Sequence, residues 1–346
     1  MILSLKKIAV IVMLVAMAVS CSGRGPILLP PPVFDDPVTY YAQLDGDYVM
    51  VGEPYSIIVF GSDGSIQSIE MEAETESGMK SIAVPGFDNL VVDIYFADTV
   101  LTDFNSLKSF LKADSEYSSA VIEGTIDASS AAPFDMIWEN DDSSIYGFGD
   151  DDIIQVSAGT STGDSYFHVN ANNVTLNGFT LEYTGSSEND SYYIFKVSCS
   201  DAIVDKLVRF EAPVIENMNF ITHKKCAGIN IHGVQDSTSE TGRVAIIKDV
   251  AVDDTLKAPI SIVSADIIID NPTLGEPESS YWGYIHVNHT AGDENYPTPC
   301  NITFKNIPSS ITRIYCQESV SAAGHTIIGL DQYTQIDLGN FTLYTL

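Results

Sequence analysis

VTLNGFTL at residues 174–181 and IDLGNFTL at residues 336–343 are almost the same octet, written twice in one chain. Each is apolar at positions 1, 3, 6 and 8 and carries Gly or Asn at the middle. Degraded copies lie between them: PVIENMNF at 213–220, AIIKDVAV at 245–252, IIIDNPTL at 267–274, ITFKNIPS at 302–309 and a poorer AIVDKLVR at 202–209. The spacing falls mostly within the roughly 20–50 residues typical of repeat architectures. A second motif, a short alternating strand, precedes most copies: YFHVN (166–170), IFKVS (194–198), GINIH (228–232), ISIVS (260–264), YIHVN (284–288) and RIYCQ (313–317).

Strand, bend, strand, bend, strand, with apolar residues at alternate positions, describes one coil of a stacked solenoid. No coil can bury its inward row alone, so neighbouring coils bury it for one another. On this reading the two octets occupy the same structural position in two distant coils. AVIEGTIDAS (120–129) and SSIYGFGDDDIIQVSAG (143–159) read as first coils. Before them, Phe104, Leu107, Phe110 and Leu111 recur at helical spacing behind Thr102 or Asp103 as N-cap. Such a helix would close the open end of the stack, whose free strand edges invite aggregation.

The fold class expected is therefore all-β: a parallel β-helix over residues 101–346 with an N-terminal capping helix. The helix followed by AVIEGTID, IYGFG and NANNVTLNGFTL resembles the right-handed β-helix of the pectin-lyase-like superfamily. Residues 37–100 lie outside that resemblance. VTYYAQLDGDYVMVGEPYSIIVFGS alternates like strands between Gly and Pro turns, which predicts a small β region.

The first residues, MILSLKKIAVIVMLVAMAVSCSG, place Lys6 and Lys7 before the apolar run Ile8 to Val19. This is the layout of a secretory signal over residues 1–20, too short for a span of ~20 residues. Ala18-Val19-Ser20-Cys21 resembles the lipobox of bacterial lipoproteins, in which the Cys becomes the lipid-bearing N-terminus. The resemblance implies lipidation at Cys21, a membrane partner through that lipid, and a place in the bacterial cell envelope, facing the periplasm or the cell surface. Residues 21–36, with Pro30, Pro31 and Pro32, read as a stiff tether.

Lys and Arg total 16 against 47 Asp and Glu, a net charge of −31. Such a surface repels nucleic acid and other polyanions, which excludes a nucleic-acid partner and disfavours a uronate substrate without calcium. Beyond Cys21 the cysteines are Cys199, Cys226, Cys300 and Cys316. Their spacing fits two disulfides or four buried thiols and fixes no pairing.

The resemblance raises the question of catalysis, and the residues answer it poorly. Pectate-lyase-like chemistry needs acids holding calcium on one strand face. The short strands present outward rows of His168, Lys196, Asn230, Ser261, His286 and Tyr315, then Asn170, Ser198, His232, Val263, Asn288 and Gln317, with no acid in either. His168 and His286 are four coils apart, roughly 19 Å at ~4.8 Å per strand, so they cannot share a metal. The rows read as a solvated polar face on which His168 and His286 could touch a ligand. Polygalacturonase-like motifs also fail: Ile231-His232-Gly233 lacks the first Gly, and no Asn-Thr-Asp occurs.

Two features remain. Asp141 and Asp142, then Asp150, Asp151 and Asp152, form acidic turns on stacked coils that could hold Ca²⁺. Tyr281, Trp282 and Tyr284 form the densest aromatic cluster, suited to a sugar ring. The expected function is a non-catalytic binding or adhesive lipoprotein whose partner is a polysaccharide or other host or cell-surface ligand. The alternatives are a polysaccharide lyase or glycoside hydrolase with an unrecognised carboxylate site, and a structural envelope protein.

Overall fold

The computed structural model describes residues 38–132, 134–159, 165–189, 191–198, 213–232, 244–263, 265–278, 283–288, 301–317, 326–339 and 341–346. Among the described residues it is all-β apart from one short helix, α1 (Phe104–Phe110). Three long sheets dominate, of nine, six and nine strands among the described residues. The chain visits them in rotation. Thr175–Asn177 lies in the first sheet, Thr180–Tyr183 in the second and Tyr193–Ser198 in the third, and the next strand, Val214–Glu216, returns to the first. Each strand pairs in parallel with its counterpart from the turns before and after. This arrangement is compatible with a β-helix.

The octet pattern explains the register. Its third positions, Leu176, Ile215, Ile247 and Ile269, pair one above another in the first sheet. Its eighth positions, Leu181, Phe220, Val252 and Leu274, do the same in the second. The short strands stack Phe167, Phe195, Ile229, Ile260, Ile285 and Ile314 in the third. All of these are buried, and all three sheets feed one apolar cluster. Each such side chain stabilises the fold by about 1.5–3 kcal/mol relative to exposure.

Between the first and second sheets the backbone turns through a residue with positive φ. Gly124, Gly178, Asn217, Asp249, Asn271 and Asn306 hold this place. Side chains brace it from turn to turn: Asn271 Nδ2 donates to Asp249 Oδ1 at 2.6 Å, and Asn217 Nδ2 to Asn177 Oδ1 at 3.1 Å. The Gly or Asn at the middle of the octet therefore marks a corner.

The final octet departs from this pattern. Thr334–Asp337 and Phe341–Thr345 form an antiparallel hairpin, and the second strand pairs antiparallel with Arg313–Gln317 in the third sheet. Residues 336–343 are thus a hairpin and do not repeat the corner of residues 174–181. The last corner of the stack is written more faintly, by strand Thr326–Ile328 and Gly329 at φ 92°. There the same pattern closes on itself as an antiparallel pair. The octet at 202–209 lies outside the described residues.

Asp103 caps α1: its carboxylate accepts the Ser106 N–H at 2.8 Å, and Ser106 Oγ accepts the Asp103 N–H at 3.2 Å. Leu107 and Phe110 are fully buried in the large cluster, with Phe110 edge-on to Trp138 at 6.0 Å.

Before Ala97 the strands form two three-stranded sheets. Tyr55–Gly61 pairs antiparallel with Tyr40–Leu44 and Ile66–Met71, and Val91–Ala97 pairs antiparallel with Gly78–Ala83. They share their own cluster around Ile57, Val59, Ile94 and Phe96. Tyr95 joins this region to the first long sheet. Its ring stacks on Tyr146 at 3.9 Å, and its hydroxyl meets Ser119 Oγ at 2.6 Å and Ser144 Oγ at 2.9 Å.

Candidate functional site

Where the second sheet gives way to the third, the chain leaves a groove of about 690 Å³, within the usual range for ligand clefts. Tyrosines form its base. Ala128, Val156 and Tyr183 stack in register as the last inward column of the second sheet. The Tyr183 ring lies 4.4 Å from that of Tyr166, which lies 5.2 Å from Tyr192. Tyr166 and Tyr183 are buried, and Tyr192 is partly exposed. One residue past the column, Ser129, Ser157 and Thr184 line the groove from three successive turns.

The far wall is the loop of residues 184–189, which is fixed at both ends. Tyr183 Oη donates to the Ser187 carbonyl at 3.0 Å, Lys225 Nζ to the Gly185 carbonyl at 3.3 Å, and the Asn189 N–H to the Lys225 carbonyl at 2.8 Å. Glu188 projects from this loop, exposed. Burial, and then the neighbouring Tyr183 hydroxyl, push the Tyr166 phenol well above its ordinary pKa. It therefore stays a neutral hydroxyl.

A polar row runs beside the groove, two residues earlier on the same strands. Asp127, Gln155 and Glu182 are register partners on the outward face of the second sheet. Gln155 Nε2 donates to Glu182 Oε2 at 2.8 Å, and His223 Nε2 lies 2.9 Å from Glu182 Oε1. Gln155 first, then His223, hold the Glu182 carboxyl below its ordinary pKa. The Ser129 side chain and backbone N–H lower Asp127 in the same way. Both carboxylates are thus held as ionised acceptors. A glycosidase needs one carboxyl kept protonated as the acid, and this row supplies none.

The structure disperses the residues singled out in the sequence. Asp152 is buried and its carboxylate is spent on backbone: Oδ1 accepts the Gly124 N–H at 3.0 Å, and Oδ2 accepts those of Phe148 at 2.7 Å and Gly149 at 2.6 Å. Asp141 accepts from the Asn172 N–H at 2.7 Å, and Asp142 from Asn173 Nδ2 at 2.9 Å. Asp150 and Asp151 are exposed. Among the described residues, no three His, Cys, Asp or Glu side chains gather where they could hold a metal ion. Asp141, Asp142 and Asp152 fasten turns.

His168, Lys196, Asn230, Ser261, His286 and Tyr315 do stack in one row, His168 and His286 four strands apart. The row is not a solvated face: His168, Asn230, Ser261 and His286 are all buried. Alternation fixes which way a side chain points, not whether something covers it. Part of the cover is the terminal hairpin, whose Phe341 ring lies 6.4 Å from those of His286 and Tyr315. Neither histidine is placed on an accessible surface. Tyr284 is buried too, with its ring 5.8 Å from the Arg313 guanidinium. Cys21, Tyr281 and Trp282 lie outside the described residues. Cys226 and Cys316 are free, buried thiols; Cys199 and Cys300 lie outside the described residues.

The tyrosine groove was absent from the sequence reading. Its signal is YTGSSENDSYY at 183–193, a run of small polar residues held between tyrosines. No protein-family model matches the chain, and comparison with curated proteins finds no relative. Among the described residues, no helix is long and apolar enough to cross a membrane.

Proposed function

We propose that this chain is a lipid-anchored protein of the bacterial cell envelope, built on a right-handed parallel β-helix of pectin-lyase-like form with α1 as its cap. We propose further that it binds glycan without cleaving it. The observation that carries the binding reading is the groove. Partly exposed Tyr192, the hydroxyls of Ser129, Ser157 and Thr184, and the neighbouring ionised acceptors Asp127 and Glu182 offer what a sugar requires: an apolar ring face and many hydrogen-bonding groups. The net charge of −31 directs the choice toward neutral rather than uronic glycans. The absence of a raised carboxyl pKa at the row favours binding over hydrolysis.

The test uses residues 22–346 made without the lipid, incubated with neutral and uronic polysaccharides with and without calcium. Retention, new reducing ends and unsaturated uronate absorbance are read together. Retention of a neutral glycan with neither product is the expected result. Product release would make the chain an enzyme and overturn the non-catalytic reading. Failure to retain any glycan would leave a structural envelope role in its place.

A further inference from the structure

The two N-terminal sheets enclose a second groove, far simpler than the first. It measures about 310 Å³, and Tyr40, Phe87, Asp88, Asn89 and Leu90 line it. Tyr40 stands on the outer strand of one sheet, and Phe87 to Leu90 form the reversal between the two long strands of the other. That reversal is tightly made. The Val84 N–H donates to the Leu90 carbonyl at 2.9 Å, the Phe87 N–H to the Val84 carbonyl at 3.2 Å, and Asn89 sits in the left-handed region at φ 62°. The Tyr40 and Phe87 rings meet edge-on at 4.9 Å, with Tyr40 left 37% exposed.

The side chains of Asp88 and Asn89 are exposed, and among the described residues neither makes a hydrogen bond or ion pair. Asp141, Asp142 and Asp152, by contrast, fasten backbone or side chains. Here the backbone is fixed and the polar groups are left over. An exposed ring beside one carboxylate acceptor and one amide, which both donates and accepts, matches the apolar face and hydroxyl edge of a hexose. The fixed backbone lowers the ordering cost of binding, and only the exposed side chains of Asp88 and Asn89 must still be ordered.

We propose that this groove is a second carbohydrate site taking one neutral hexose unit, so that the chain grips a long glycan at two places. The proposal rests on the glycan-binding reading of the first groove. Two linked sites gain affinity for a ligand long enough to engage both, and gain nothing for a short one.

Residues 22–346, wild type and with Tyr192→Ala, Tyr40→Ala or Asp88→Ala, would be titrated with a neutral polysaccharide the wild type retains and with its short oligosaccharides. Circular dichroism would check folding. Tyr40→Ala and Asp88→Ala should each weaken polysaccharide binding at least tenfold while oligosaccharides still bind at the first groove. If both leave polysaccharide affinity within twofold of wild type while Tyr192→Ala abolishes it, the second site is refuted and the glycan reading stands. If Tyr40→Ala misfolds, Asp88→Ala alone decides by the same criterion. If the wild type binds no glycan, both readings fall together.

Discussion

Gly178 and Gly339 stand at the middle of the two near-identical octets, with φ values of 82° and 85°. Their surroundings differ. A Cβ on Gly178 would sit 2.2 Å from the Gly147 carbonyl oxygen, while one on Gly339 would meet nothing within 4 Å. Gly339→Ala should therefore cost only the backbone term, about 1–2 kcal/mol. Gly178→Ala should cost about 3 kcal/mol or more, because two stacked turns must also separate. Chemical denaturation of both variants would check the ranking; equal costs would mean that the octets are equivalent after all. His286 yields a pH prediction. Burial lowers its pKa from 6.5 to about 4. The unfolded chain takes up a proton below pH ~6.5 that the folded chain refuses until about pH 4. Stability from burying the neutral ring is fully present above the unfolded value and declines as pH falls through that window, by up to about 3 kcal/mol. Calorimetry from pH 7.5 to 4 should show His286→Gln with a shallower slope than wild type. The sequence marks residues of this kind poorly. The Asn-x-Thr at Asn173, for instance, is a left-handed turn residue followed by a strand Thr.

At the scale of elements the sequence was most legible. Apolar alternation located the strands of all three sheets, the helical spacing located α1, and Asp103 is its cap. The corner was written in the Gly or Asn at the middle of the octet. What failed was the inference from direction to exposure: the row through His168 and His286 points outward and is nevertheless covered. The last octet failed for a related reason. Two short strands with a flexible middle can bend into a corner or close into a hairpin, and only a neighbouring turn decides between them. The hairpin has a job that can be tested. Strand Phe341–Thr345 pairs with Arg313–Gln317 and covers its edge. Removing residues 332–346 should expose that edge and cause aggregation, visible by light scattering at concentrations where the full chain stays monodisperse. A truncated chain that remained monodisperse would show that the hairpin is dispensable. In the core, the Phe195 ring stacks on Phe167 at 5.8 Å and lies tilted against Phe220 at 5.6 Å. Phe195→Ala should cost about 3–5 kcal/mol in denaturant unfolding.

For the whole molecule, a strongly acidic chain, a core between long parallel sheets and two aromatic grooves support the proposed account, in which a tethered protein holds neutral glycan. The grooves were the least legible part of the chain. Tyr166, Tyr183 and Tyr192 are separated in sequence and meet only because strands from successive turns stack. Asp141, Asp142 and Asp152, conspicuous in one dimension, fasten turns in three, and His168 and His286 are buried. The anchor is tested by Cys21→Ser, which should move the protein from the detergent phase to the aqueous phase on partitioning; a variant that stays in the detergent phase would refute lipidation at Cys21. The most direct test of the central claim is calorimetric titration of a neutral oligosaccharide into residues 22–346 and into the same chain carrying Tyr192→Ala. The account predicts saturable binding that weakens about tenfold in the variant, ~1.4 kcal/mol, with no product formed. Binding of equal strength in both proteins, or cleavage of the oligosaccharide, would contradict it.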